Sequence, residues 1–165
     1  MLSVGARFWF SRDMVTTPPL DAVTGVLHAL QTRHLTPAVG GSGLLVALGL
    51  AEIAHDWDVT VDAADSAVIT ALNDAGMKYR DGTSRDGIYA TRKRYVVDGG
   101  NHDVDLLVYF ALRGPNGVVR LPSRVTGWWH GLPLADPGVW AQAYRLLNRP
   151  AKAEALEHWL AANRP

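Results

Sequence analysis

Three patterns in the sequence predict an α/β (α+β) fold. In the first half, segments with helical apolar spacing alternate with short β-branched runs. In the middle, strand-like runs are separated by Asp-Gly and Gly-Gly turn chemistry, which marks adjacent antiparallel strands. At the end, helical periodicity returns on both sides of Arg149-Pro150.

Thr16-Thr17-Pro18-Pro19 supplies a cap and a proline start. Leu20, Val23, Val26, Leu27 and Leu30 then recur at helical spacing, predicting a helix from Pro19 to Arg33. Pro37-Ala38-Val39 reads as a short strand running into glycines, Leu44 to Leu50 as a short apolar helix stopped near Gly49, and Asp56 to Asp62 as the next strand. Asp65 or Ser66 is the expected cap of a helix through Asn73, with Gly76 just past its end. Met77 to Arg80, Gly87 to Val97 and Val104 to Leu112 read as strands, joined at Asp81-Gly82 and at Asp98-Gly99-Gly100-Asn101. Gly114-Pro115-Asn116-Gly117 is a further turn before a Val118 to Leu121 strand. Asp136-Pro137 places an N-cap before a proline at the first helical position. Trp140, Tyr144, Leu146 and Leu147 carry one C-terminal helix, and Leu156, Trp159 and Leu160 the other.

A chain of 165 residues is long enough for one well-buried core. Its 16 Lys and Arg balance its 16 Asp and Glu, so no whole-surface charge draws it to DNA or to an anionic membrane. There is no cysteine, which excludes disulfides, thiolate metal sites and a cysteine nucleophile. The first ten residues lack the apolar core of a secretory signal, and the apolar stretch from Gly43 to Ile53 is too short to span a bilayer. The expectation is a soluble, cytoplasmic protein with neither a membrane nor a DNA partner. Gly-x-Ser-x-Gly and Gly-x-x-x-x-Gly-Lys-[Ser/Thr] are both absent, which argues against a serine hydrolase and a P-loop NTPase.

Two acidic stretches carry the candidate chemistry. In Asp56-Trp57-Asp58-Val59-Thr60-Val61 the side chains of an extended strand alternate, so Asp56 and Asp58 share a face. In His102-Asp103-Val104-Asp105 the second aspartate lies deeper, between Val104 and Leu106, and Asp103 sits at the lip. A carboxylate leading into an apolar strand is costly to desolvate without a cation or a donor. If the two strands pair, Asp105 joins Asp56 and Asp58 as three hard oxygen ligands suited to Mg2+. Gly40-Gly41-Ser42-Gly43 lies between a strand and a helix, where backbone N–H groups can approach a phosphate. Any strand-to-helix turn also recruits glycine, so this cluster is weak evidence taken alone.

The order Gly40-Gly41, a short helix with Leu48-Gly49, His55-Asp56-x-Asp58, then Asp105 in an apolar strand resembles the polymerase-β-like nucleotidyltransferase superfamily. The likeness runs over Ala38 to Phe110 and is similar to that of small proteins related to aminoglycoside nucleotidyltransferases and AbiEii-type toxins. It implies the nucleotidyltransferase fold, a mixed β-sheet with helices packed on it and a C-terminal helical tail. Residues 1–135 would be the catalytic domain and 136–165 a helical extension packed on it. The implied activity is Mg2+-dependent transfer of a nucleoside monophosphate from an NTP, ATP among them, to an acceptor. Mn2+ is the alternative ion. The acceptor would be a small molecule, a tRNA or a protein, placing the chain with antibiotic-modifying enzymes or with toxin–antitoxin components that have a cognate antitoxin. Carried over by residue, Gly40, Gly41 and Ser42 would hold the β- and γ-phosphates, and Asp56 and Asp58 the metal. Asp105 would complete the metal site and orient or deprotonate the acceptor hydroxyl.

One departure bears on charge. Many relatives place an arginine shortly before the Asp-x-Asp pair, whereas Leu50-Ala51-Glu52-Ile53-Ala54-His55 has no basic residue except His55. Arg92 and Arg94, on one face of the strand before Asp105 by alternation, are the candidate replacements for nucleotide binding. A solvated basic strand face is the competing account of both. The same departure motivates a second reading, a non-catalytic NTP-binding or regulatory module of this fold; a third treats the aspartates as strand caps of an interaction domain. His55 and His102 lack zinc-ligand spacing and read as surrounding or surface residues. Trp140 and Trp159 read as packing, while Trp128 and Trp129 are open to a base-stacking role.

Overall fold

The computed structural model describes residues 15–164, so the N-terminal segment read above for a secretory signal lies outside the described residues. Helix α1 (Leu20–Gln31) follows the prolines and buries Ala22, Val23, Val26, Leu27, Ala29 and Leu30. Trp57 anchors its start, donating its indole N–H to the Pro19 carbonyl at 3.1 Å. Strand β1 (Ala38–Gly40) runs directly into helix α2 (Gly41–Ala47). This helix begins at the glycines, not at the expected Leu44, so Gly41 to Gly43 form its first turn. Strand β2 (Trp57–Val61) and helix α3 (Asp65–Asp74) follow. Asp65 does not cap α3: Ala64 holds the cap position without a side-chain hydrogen bond, and Asp65 occupies the first turn, where its charge complements the helix dipole.

The middle of the chain holds β3 (Tyr79–Asp81), β4 (Lys93–Asp98) and β5 (Asp103–Val108), antiparallel in succession. The turn expected at Asp98 to Asn101 joins β4 to β5. The strand expected from Gly87 starts only at Lys93, and residues 82–92 leave the sheet as an excursion between β3 and β4. The run expected from Val104 to Leu112 breaks at Tyr109, whose φ of 52° is left-handed, a conformation incompatible with a continuing strand. Beyond the break, β6 (Ala111–Gly114) and β7 (Gly117–Arg120) form a separate hairpin across the Gly-Pro-Asn-Gly turn. A second hairpin, β8 (Val125–Trp129) and β9 (Leu132–Ala135), has no counterpart in the sequence reading. Gly127 and Pro133 within it disguise strand character.

The main sheet has seven strands in the order β3-β4-β5-β2-β1-β9-β8, with β2 parallel to β5 and β1 parallel to β9. It is a mixed sheet, as the fold class requires. Trp57, Val59 and Val61 of β2 and Val104, Leu106 and Val108 of β5 are fully buried in the core shared with α1 and Val68, Ala71 and Leu72 of α3. Helices α4 (Pro137–Leu146) and α5 (Pro150–Ala162) close the chain and pack on one another. Asp136 caps α4, accepting from the Gly138 N–H at 2.8 Å. No helix among the described residues is long and apolar enough to cross a membrane.

Candidate active site

Strand register lines up the acidic residues. Gly40 of β1 stands opposite Asp58 of β2, and Asp58 stands opposite Asp105 of β5. Neighbouring strands lie about 4.8 Å apart, so this one line across the sheet brings a glycine and two carboxylates side by side. Alternation sends Trp57, Val59, Val104 and Leu106 into the core and leaves Asp58 and Asp105 on the other face. Asp103 opens β5 and is exposed, whereas Asp105 is half-buried.

That face forms the floor of a cavity of about 650 Å3, on which Asp56, Asp58 and Asp105 all border. Thr83, Ser84 and Tyr89, from the excursion between β3 and β4, make one wall. Trp140 and Tyr144 of α4, with Arg149 and Lys152 beside the start of α5, make the other. Trp140 is held by Phe110, its ring stacked at 5.0 Å between centroids, and Tyr144 lies 5.8 Å from Trp140.

Both glycines at the turn are required by what they touch. A Cβ on Gly40 would fall 2.2 Å from the Trp140 ring. Gly41 adopts φ +58°, and a Cβ there would lie 2.3 Å from Asp58 Oδ2. Ser42 borders the cavity and donates to the Asp56 carbonyl at 3.5 Å.

Burial pushes the Asp58 carboxyl up to about 7, helped by the charges of Asp105 and Asp56 and opposed by Arg94 and Lys152. Burial also raises Asp105, but Arg94 pulls against it through its charge and its hydrogen bond. Arg94 donates to Asp105 Oδ1 at 2.8 Å and to the Gly82 carbonyl at 3.2 Å. Among the described residues no three His, Asp or Glu side chains close into a ready-made cation cage, so the expected grouping of Asp56, Asp58 and Asp105 as three ligands of one ion is not formed in this structure. The Tyr144 hydroxyl is raised as well, by burial and then by Asp58.

Arg92 is not brought to this cavity. It precedes β4, outside the alternation that was to place it beside Arg94, and its Nε donates to Asp65 Oδ1 at 3.2 Å. It borders a second cavity of about 880 Å3 together with Asp62, Tyr109 and Arg120. Phe110 is common to both cavities. Trp128 and Trp129 lie on β8, the last strand of the sheet, and border neither cavity; Trp128 is 66% exposed. His55 is exposed and His102 half-buried, and neither borders the site.

Sequence reasoning missed Arg149 and Lys152, which lie far from the acidic motifs along the chain. The signal was a basic pair at the beginning of a helix, where acidic residues are the usual choice.

No family model matches the chain, and no curated protein matches it. Solved structures do. The antibiotic-resistance factor ANT(2'')-Ia in solution matches 86% of this chain and 88% of its own, with 15% identity and a TM-score of 0.51. The crystal structure of ANT(2'')-Ia in complex with adenylyl-2''-tobramycin matches 85% of this chain and 93% of its own, at 14% identity and 0.51. A Thermotoga maritima protein described as a nucleotidyltransferase matches 86% and 91%, at 21% identity and 0.53. The likeness is one of architecture, and it defines the class: this chain has the nucleotidyltransferase fold.

Proposed function

We propose that the protein is a nucleotidyltransferase that moves a nucleoside monophosphate from an NTP to an acceptor hydroxyl. The observation that carries the reading is the register of Asp58 and Asp105 across β2 and β5 at the floor of one cavity, with Gly40 of β1 opposite Asp58 and Ser42 on the cavity's border. The ANT(2'')-Ia complex with adenylyl-2''-tobramycin supports adenylyl transfer, with ATP as the first nucleotide to test.

The donor set suits a hard divalent ion. It contains only carboxylates near the turn, and Asp58 is raised because burial and two like charges press on it without enough counter-charge. Asp58 and Asp56 would hold Mg2+, with Mn2+ as the alternative, and Asp105 would join them once Arg94 turns to substrate. Two or three carboxylates are enough, since Mg2+ takes its other ligands from water and substrate phosphates. The ion supplies charge neutralisation on the triphosphate.

In the transfer itself, the acceptor oxygen forms a bond to the α-phosphorus as the bond to pyrophosphate breaks. Asp105 takes the acceptor proton. The backbone N–H groups at Gly40, Gly41 and Ser42 meet the β- and γ-phosphates, which the absence of Cβ atoms at the two glycines allows. Positioning and charge stabilisation provide most of the rate. The acceptor would be a small molecule, a tRNA or a protein, and a toxin–antitoxin role with a cognate antitoxin belongs to the protein-acceptor case. Residues 136–165 act with 1–135 as a single catalytic unit in this reading, in the cytoplasm.

Calorimetry with the four NTPs and Mg2+, followed by a pyrophosphate-release assay over candidate acceptors, tests it. D56N and D58N are expected to abolish metal-dependent NTP binding while the far-ultraviolet spectrum stays unchanged. Full binding in both variants would end the proposal. The Arg94 to Asp105 ion pair, which neutralises the third carboxylate, favours a second reading as a non-catalytic NTP-binding or regulatory module. NTP binding without pyrophosphate release on any acceptor would select it.

A further inference from the structure

The cavity is charged differently on its two sides. Its floor carries Asp58 on β2, Asp105 on β5 and Asp56 just before β2, and its helical wall carries Arg149 and Lys152. Arg94, the cation on the floor side, is engaged by Asp105 at 2.8 Å.

Neither Arg149 nor Lys152 has a carboxylate partner among the described residues. Lys152 lies in the first turn of α5, where a positive charge opposes the helix dipole and where no acidic residue offsets it. It hangs over the Tyr144 ring, 5.4 Å from its centroid, and its charge is felt at Asp58. Arg149 is held by the turn before α5: Asn148 is left-handed at φ 57°, and the Arg149 N–H donates to the Tyr144 carbonyl at 2.8 Å. Its position at the start of α5 carries no side-chain cap, so the first-turn N–H groups of that helix add to the positive end.

A cation-bearing polyanion satisfies both sides at once, its metal toward the carboxylates and its anionic chain toward the helical wall. A polycation would meet like charge on that wall. Resting on the nucleotidyl-transfer reading, we propose that Arg149 and Lys152 hold the triphosphate tail of the nucleotide. They supply from the C-terminal helices the positive charge that the stretch before Asp56 lacks.

Inorganic tripolyphosphate with Mg2+ isolates the tail from base and acceptor, and its binding to the full chain is read by calorimetry. R149A and K152A are each expected to weaken it by about tenfold, and K152R to keep most of it. R145A, which removes a surface cation of α4 paired with Glu157, is expected to leave it unchanged. Thermal melting without ligand checks that each variant is folded, and K152M repeats the test with the stem of Lys152 preserved should K152A melt early. Loss of binding in D58N with full retention in R149A and K152M would overturn this inference alone. Failure of the wild-type chain to bind Mg2+ and tripolyphosphate would overturn it together with the reading on which it rests.

Discussion

Gly41 and Asp58 are a matched pair: the left-handed backbone of one leaves room for the carboxylate of the other. Gly41→Ala is expected to lower stability by about 1–2 kcal/mol from the left-handed conformation alone, and to displace Asp58. Thermal melting and Mn2+ titration would read the two effects separately. Asp58 also sets a pH dependence. Its carboxyl titrates near 7 in the fold against an ordinary 3.8, so between those values the folded chain binds more protons than the unfolded one. Stability without metal is therefore expected to fall as pH rises from about 4 to 7. Metal binding must release the same proton, so its apparent affinity is expected to rise over the same window. Asp58→Asn should flatten the stability profile and abolish the metal effect, and denaturant unfolding at pH 5 and pH 8, with and without Mn2+, would expose either failure.

At the scale of elements, α4 does two things with one residue. Trp140 fills the space left open by Gly40 and stacks on Phe110, while its edge borders the cavity. Trp140→Ala is expected to cost about 3–5 kcal/mol in urea unfolding, and to weaken ligand binding through loss of the wall. The helix start is separable from that packing. Asp136→Ala removes the bond to the Gly138 N–H together with the exposed pairing to Arg124 at 3.8 Å, and should cost about 1 kcal/mol, nearly all of it from the cap, with binding kept; Arg124→Ala is expected to leave stability almost unchanged. The β3 to β4 excursion is the other element built for the cavity. It places Thr83, Ser84 and Tyr89 where a tight hairpin would leave nothing.

For the whole molecule, the sequence suggested a catalytic body over 1–135 with a helical extension over 136–165 packed on it. The helical pair forms one wall of the cavity, and Trp140, Tyr144, Ala153 and Leu156 belong to the main core. We therefore expect a single cooperative unfolding transition, with tryptophan fluorescence and far-ultraviolet circular dichroism superimposing. A separate early transition of the C-terminal helices would show that they fold as their own unit.

Local chemistry was legible along the chain. The prolines before α1, Asp136-Pro137 before α4, the Asp98 to Asn101 turn and the alternation around Asp58 and Asp105 each act over a few residues, so their outcome is written in adjacent letters. The sheet partners of Asp58, the break at Tyr109 and the edge hairpin β8–β9 were not, because each depends on residues distant in sequence. Arg92 and Arg94 show the limit most clearly. They are two positions apart, yet one is drawn to Asp65 and the other to Asp105 because the strand begins between them. By itself the sequence determined the classes of element and the acidic motifs; tertiary packing decided which charges face one another, since electrostatic partners are chosen by proximity in space.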